Sequence, residues 1–272
     1  MKGIHAVYLT CLLAALIISS GPASGFSIMG AIWQEDVNPG ESVSHEINIS
    51  EDSSDNPTNY TIEVAGLVQT LQGVNTPAME GNDTNPYTAR PFLKVSTSSF
   101  YLEPGKSQIV LVKADIPKDV GSGSRFAIIS MRSGTIGSNA NGGANVGIRT
   151  GSDIPVVLTT AGSEMDETGK ITDIKEDKVS AEQQIISVIF KNTGNTLYKA
   201  KAKAELKSTD GTIVVQAETP IGVASIIPPF SRLFQISLNP SSKLKPGMYN
   251  LTSSVEKEDG TVLATNETSL KV

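Results

Sequence analysis

LYKAKAKAELK, Leu197–Lys207, decides how the rest of this sequence is read. Tyr198, Ala200, Ala202, Ala204 and Leu206 fall on one parity; Lys199, Lys201, Lys203, Glu205 and Lys207 fall on the other. Ala, Lys and Glu favour helix by intrinsic propensity. Periodicity overrules that preference, because residues two apart lie about 200° apart around a helix and the alanines would not share a face. On a strand the same residues make one apolar side and one charged side, as a half-buried antiparallel sheet requires. The stretch is predicted as a strand.

Its surroundings follow the same period. Ile186, Val188 and Phe190 alternate before a turn at Asn192–Asn195, and Phe234, Ile236 and Leu238 alternate after Pro228-Pro229. Tyr249, Leu251 and Val255 share a parity while Asn250, Thr252 and Glu256 face out, and Asp259-Gly260 signals a tight turn into a last strand. About seven strands over roughly 105 residues, evenly punctuated by turns, predict a β-sandwich. Tyr249 stands where the tyrosine corner of an immunoglobulin-like domain would set its hydroxyl against nearby backbone; an ordinary core aromatic is the other reading.

The first half repeats the design. Leu102-Glu-Pro104-Gly105-Lys-Ser107 with Gln108–Pro117 aligns with Ile226-Ile-Pro228-Pro229-Phe-Ser231 with Arg232–Pro240, 124 residues further on. Val110, Val112 and Ala114 then overlie Phe234, Ile236 and Leu238, and the following strand aligns within one residue, Phe126 against Tyr249. Two tandem copies of one sandwich explain this economically, with convergent turn chemistry as the alternative. Further strands are expected at Val43–Ser50, Tyr60–Gln69, Phe92–Thr97 and Ser124–Arg132, with Val146–Thr150 or Asp153–Thr160 closing the sheet. Long loops at 70–90 and 134–145 interrupt them, and loops of that length are either mobile or used for binding.

Lys2, the uncharged run Ala6–Ile18 and the small residues Ser19–Gly25 read as a secretory signal peptide, with Ala23 and Gly25 as plausible cleavage positions. The apolar run is short for a bilayer span, a retained N-terminal anchor being the other reading. No later run approaches membrane length. The expected organisation is all-β: a signal peptide at 1–25, an immunoglobulin-like sandwich at 26–162 and an immunoglobulin- or fibronectin-like sandwich at 163–272. The polar connector Gly162–Gly169 marks the boundary. Loss of the leader takes Lys2 and Cys11, leaving no thiol and 21 basic against 28 acidic residues, a net charge of −7. An acidic chain with no basic run is not suited to nucleic acid.

Catalytic chemistry is sparse. After the leader the only histidine is His45 and there is no cysteine, which removes Cys–His pairs, most zinc sites and a Ser-His-Asp arrangement unless His45 serves alone. His45 shares parity with Val43, Ile47 and Ile49, the position of a structural histidine. Gly121-Ser122-Gly123 leads into a strand and reads as a turn. No catalytic, cofactor or metal residue is assigned. Asp52, Asp55 and Asp83 lie in loops, and because two carboxylates suffice for glycoside hydrolysis they keep a carbohydrate-active enzyme open as an alternative. Asp52–Asn56 resembles a calcium loop in composition but lacks EF-hand spacing.

Five N-x-S/T sequons begin at Asn48, Asn59, Asn82, Asn250 and Asn266. Asn48, Asn59 and Asn250 fall on outward parities and Asn82 in the long loop, so glycosylation is expected at these four. Asn266 shares parity with Val262, Ala264 and Leu270; a glycan there would need a bulge or an edge position, and none is expected.

Val37-Asn-Pro39-Gly40-Glu-Ser42, Leu102-Glu-Pro104-Gly105 and Ile116-Pro117-Lys-Asp-Val120-Gly121 before Phe126-Ala-Ile128-Ile129-Ser130 resemble the N-terminal domain of WxL-interacting cell-surface proteins. More loosely they resemble PapD-like pilus chaperones. Lys191-Asn192-Thr-Gly194-Asn195, Asp210-Gly211 and Pro246-Gly247-Met-Tyr249 resemble the partner domain. The first resemblance implies a peptidoglycan-binding type of domain; the second implies capture of a fibre subunit. WxL-interacting proteins end in a membrane span and basic tail, which this sequence does not show.

The functional expectation is an exported, non-enzymatic cell-surface or secreted module without a cofactor. It would contact a cell-envelope protein or polymer through a sheet edge or the long loops. The alternative is a chaperone or assembly factor for surface fibres that donates an edge strand, with Gly134–Gly151 as its hairpin; Pro155 counts against that reading.

Overall fold

A computed structural model describes residues 26–134 and 150–272. The leader, most of the 134–145 loop and all of Val146–Thr150 except Thr150 lie outside the described residues.

The first ten strands are β1 (Phe26–Met29), β2 (Trp33–Val37), β3 (Ser42–Glu51), β4 (Thr58–Gln69), β5 (Asn75–Ala78), β6 (Leu93–Val95), β7 (Ser99–Leu102), β8 (Ser107–Asp115), β9 (Ser124–Ser133) and β10 (Gly151–Thr160). One sheet runs β1-β3-β8-β6 and the facing sheet β2-β10-β9-β4-β5, with β7 also on β4. The remaining strands are β11 (Gly169–Val179), β12 (Gln184–Asn192), β13 (Ala200–Lys207), β14 (Ile213–Glu218), β15 (Ser231–Leu238), β16 (Met248–Lys257) and β17 (Val262–Lys271). They form sheets β11-β12-β15 and β14-β13-β16-β17. Both halves of the chain are β-sandwiches.

Each sandwich closes over residues of one parity. Trp33, Ile47, Ile49, Tyr60, Ile62, Val110, Val112, Ile129, Met131, Val156 and Leu158 are buried together in the first. Ile186, Val188, Phe190, Ala202, Ala204, Leu206, Phe234, Ile236, Leu238, Leu251 and Val255 fill the second. The lysines of β13 stay outside, where Lys201 pairs with Glu218 at 2.8 Å and Lys203 with Glu205 at 2.6 Å. Glu205 and Glu218 thus offset part of the charge of Lys201, Lys203 and Lys207, so the face is not a bare basic stripe.

Several expectations need revision. The strand at Phe92–Thr97 shrinks to β6, because Arg90–Phe92 with its proline forms a 3-10 turn. The 70–90 stretch is pinned: it contains β5, and Asp83 accepts hydrogen bonds from Thr88 Oγ1 at 2.6 Å and from the Asn85 amide at 3.4 Å. The strand of LYKAKAKAELK begins at Ala200, since Leu197 turns toward the other sandwich. The repeat is also in closer register than the sequence suggests. β8 and β15, and β9 and β16, each start 124 residues apart, placing Ala127, Ile129 and Met131 on Leu251, Ser253 and Val255. Phe126 does not correspond to Tyr249; it faces away from its own core and is buried between the sandwiches.

That joint is closely packed. Leu67, Phe126 and Ile128 bury against Ile227, with Tyr87, Val157, Leu197 and Phe230 around them. The Ser124 amide donates to the Asn195 carbonyl at 2.9 Å and the Leu233 amide to that of Leu71 at 2.8 Å. Gln69 Nε2 donates to the Ser225 carbonyl at 3.0 Å, and its Oε1 accepts from the Ile227 amide at 3.2 Å. Backbone bonds of this kind fix an orientation that apolar contact alone would leave loose. Gly73, at φ +82°, closes over the Arg232 guanidinium, leaving no room for a Cβ.

Candidate partner-binding edge

The leading segment of the described residues, β1 and β2, joins one sheet and then the other. β1 pairs antiparallel with β3; the chain crosses at Gly30–Ile32, and β2 runs parallel to β10 from Trp33↔Val156 to Val37↔Thr160. Gly30 makes the crossing possible, because it sits at φ +80° and a Cβ there would collide with the Glu46 carbonyl. His45 seals the crossing: one ring nitrogen is 2.9 Å from the Gly30 carbonyl oxygen, and the ring stacks on Trp33 at 5.2 Å. The histidine is committed to packing.

β2 leaves the upper part of β10 uncovered. Pro155 pairs with Ile128 of β9 but has no N–H, so this must be a non-hydrogen-bonded pair, with the polar atoms of Pro155 directed away from β9. Alternation carries the same orientation to Asp153 and Gly151. The even-numbered neighbours agree, since Thr150 accepts from the Ser133 amide at 2.8 Å and the Thr160 amide donates to Gly123 at 3.0 Å. Asp153 and Gly151 therefore present N–H and C=O groups sideways, and among the described residues no strand pairs with them there. Pro155, which from sequence alone counts against strand addition, in place costs the edge one donor and leaves the β9 ladder intact.

Side chains above this edge are polar. Arg132 pairs with Asp153 at 2.7 Å, and the Ser130 hydroxyl donates to the same carboxylate at 2.9 Å. Arg132 also lies across Gly151, where a Cβ would strike the Met131 carbonyl and the arginine side chain. None of Gly30, Ser130, Arg132 and Gly151 was identifiable as a site residue from sequence. Their only signal was Pro155 inside an alternating strand.

The carboxylates kept open for hydrolysis fall in separate structures. Asp52 and Asp55 share one turn, Asp52 accepting from the Ser54 amide at 3.0 Å and Asp55 from the Asp52 amide at 2.9 Å, while Asp83 fastens the 79–89 loop. Glu51 ends β3 and accepts from the Tyr60 hydroxyl. Burial pushes the Glu51 carboxyl above the usual range although the Tyr60 bond pulls it back, and burial with the Glu51 contact pushes the Tyr60 phenol up. No group of three or more His, Cys, Asp or Glu side chains suited to a metal occurs among the described residues.

The structure places Asn59, Asn82 and Asn250 at exposed positions. Asn48 lies on the outer face of its sheet, half-buried opposite Met29 and Ile109, with its Oδ1 shut off from solvent and unpartnered. Asn266 is exposed as well, contrary to the reason for expecting it bare. It does share its side with buried Ser253 and Leu270, but β17 is an edge strand, and a bulge near Leu263 turns Val262 outward. Tyr249 packs in the second core and its hydroxyl donates to the Lys245 carbonyl at 2.9 Å. No described helix is long and apolar enough to cross a membrane.

No protein-family model matches this chain, and no curated protein matches it. Among solved structures it is similar to a chain of the chaperone–tip adhesin complex of CFA/I fimbriae, with 12% identity over 91% of this chain and 100% of the other and a TM-score of 0.43. It is also similar to a chain of the Salmonella enterica SafA pilin–SafB chaperone complex, with 8% identity over 92% and 99% and a TM-score of 0.41. The E. coli chaperone DraB gives 13% identity over 91% and 97%, with a TM-score of 0.40. These neighbours are PapD-like fimbrial chaperone structures; none of them speaks to the WxL resemblance. At such identities and scores they decide neither activity nor partner, and the two-sandwich architecture rests on the strand pairing itself.

Proposed function

We propose that this chain is an exported, non-enzymatic binding module that takes an extended segment of a protein partner as an added strand beside β10. This adopts the assembly-factor reading over a generic envelope-binding one, and makes the partner a protein and not a polymer. The observation that carries it is the sideways-facing backbone of Gly151 and Asp153, which no strand among the described residues pairs where β2 turns away at Pro155. An added strand gains main-chain hydrogen bonds that any sequence can supply, while neighbouring side chains set preference. Arg132 and Asp153 flank the edge and would favour a partner segment with polar residues on that face. The fixed joint supports the reading, because a rigid two-domain body can hold one edge in a constant position.

Hydrogen exchange tests this on the tagged full chain, alone and in the complex recovered from its native envelope. The Gly151 and Asp153 amides should exchange freely in the isolated protein and become protected in the complex. Protection elsewhere with these two amides still open would refute strand addition. A D153P variant, which removes one edge donor at a position of the same orientation as Pro155, should weaken recovery of the partner while keeping the thermal transition of the second sandwich.

A further inference from the structure

We propose that Asn266 carries an N-linked glycan and that this glycan covers the open side of the second sandwich. The inference rests on export of the chain, since sequons are modified only on that route.

Three observations converge on the position. First, β17 pairs with β16 on one side only; among the described residues no strand is hydrogen-bonded to its other side, where β11 of the facing sheet approaches without pairing. The corresponding strand of the first sandwich, β10, has half of its edge covered by β2. Second, Thr265–Ser269 are all exposed, so both sides of β17 are open over five consecutive residues containing a single charge, Glu267. An edge of this kind invites pairing with another chain unless something blunts it. Third, Asn266 and Thr268 line a groove of about 320 Å³ whose other wall is Ile171–Ile174 and Glu176 of β11.

The sequon Asn266-Glu267-Thr268 thus lies at the middle of the unguarded run, with its asparagine and threonine both exposed. A first sugar on Asn266 Nδ2 would lie over a groove whose Asp173, Glu176 and Thr172 can accept or donate hydrogen bonds to its hydroxyls. The rest of the glycan would project past β17 and deny its edge to a second strand. Ser253, directly opposite Asn266, is fully buried with its hydroxyl unpartnered, so the core is closed beneath the exposed asparagine.

The test is secretion of the full chain from a cell line that glycosylates sequons, followed by glycopeptide mass analysis and light scattering. Asn266 should be occupied, as should the exposed Asn59 and Asn250, and the secreted protein should be monomeric. N266Q and T268A should each remove that glycan and shift the protein from monomer to dimer, whereas T268S should keep both the glycan and the monomer. Asn266 bare while Asn59 and Asn250 are occupied overturns the proposal with export intact. A chain retained in the cell with all five sequons bare overturns export and the proposal with it. N266Q that stays monomeric overturns the role as an edge cover.

Discussion

The two sandwiches share a strand plan and differ at one side. In both, a three- or four-stranded sheet faces another whose central strands are β4 and β9 or β13 and β16. In the first, Gly30 lets the leading strand change sheets, so β2 guards the lower part of β10. In the second, β11 stays on β12 through its whole length, taking up irregularity as two bulges, between Ile171 and Asp173 and between Glu176 and Lys178. β17 has no hydrogen-bonded strand on its outer side among the described residues. The sandwich whose leading strand changes sheets at Gly30 thus has part of its edge strand paired, and the one whose leading strand does not has none of it paired among the described residues.

The comparison can be broken most forcefully at the cores. Trp33→Ala removes an indole buried at the start of β2 together with its stack on His45, whereas Phe190→Ala empties the centre of the second sandwich. Each should cost about 3–5 kcal/mol. In denaturant unfolding followed by hydrogen exchange, Trp33→Ala should expose β10 amides first and Phe190→Ala those of β12. Identical exchange patterns would mean that the joint makes the sandwiches a single cooperative unit.

A smaller change should make the first sandwich behave like the second. Gly30→Ala forces a Cβ into the Glu46 carbonyl at a left-handed position, a strain of roughly 1–3 kcal/mol. The expected relief is detachment of β2, seen as faster exchange of the Val157 and Thr159 amides without a matching change in β12. Continued protection of both amides would show that another contact, not this crossing, holds β2.

The smallest effect belongs to the second sandwich. Tyr249→Phe deletes only the hydroxyl bonded to the Lys245 carbonyl and should lower stability by about 0.5–1.5 kcal/mol in chemical denaturation. The ring would still fill its place beside Leu251 and Leu270. A null result would reduce Tyr249 to a core aromatic, the alternative that its sequence position left open.

Much of this architecture is legible in the sequence. The alternation in Leu197–Lys207, the 124-residue repeat and the turns around Pro104-Gly105 and Asp259-Gly260 all act over a few residues, where parity and backbone preference leave little choice. His45 was placed on the correct side for the same reason. The candidate site was not legible. Pro155 could be noticed, but whether its missing donor faced β9 or open solvent depends on register with another strand. The exposure of Asn266 was not legible either, because parity says which side of its own sheet a residue takes, not whether the strand is an edge or carries a bulge.

Local chemistry alone thus determined that the chain is built of strands with one apolar side, arranged as two similar units, because side-chain alternation is a property of each strand. Tertiary structure decided which edges are covered, that Phe126 belongs to the joint and not to a core, and that Asn266 lies over a groove. Those outcomes depend on what a distant segment places alongside a strand, and a strand's own sequence does not contain its neighbour.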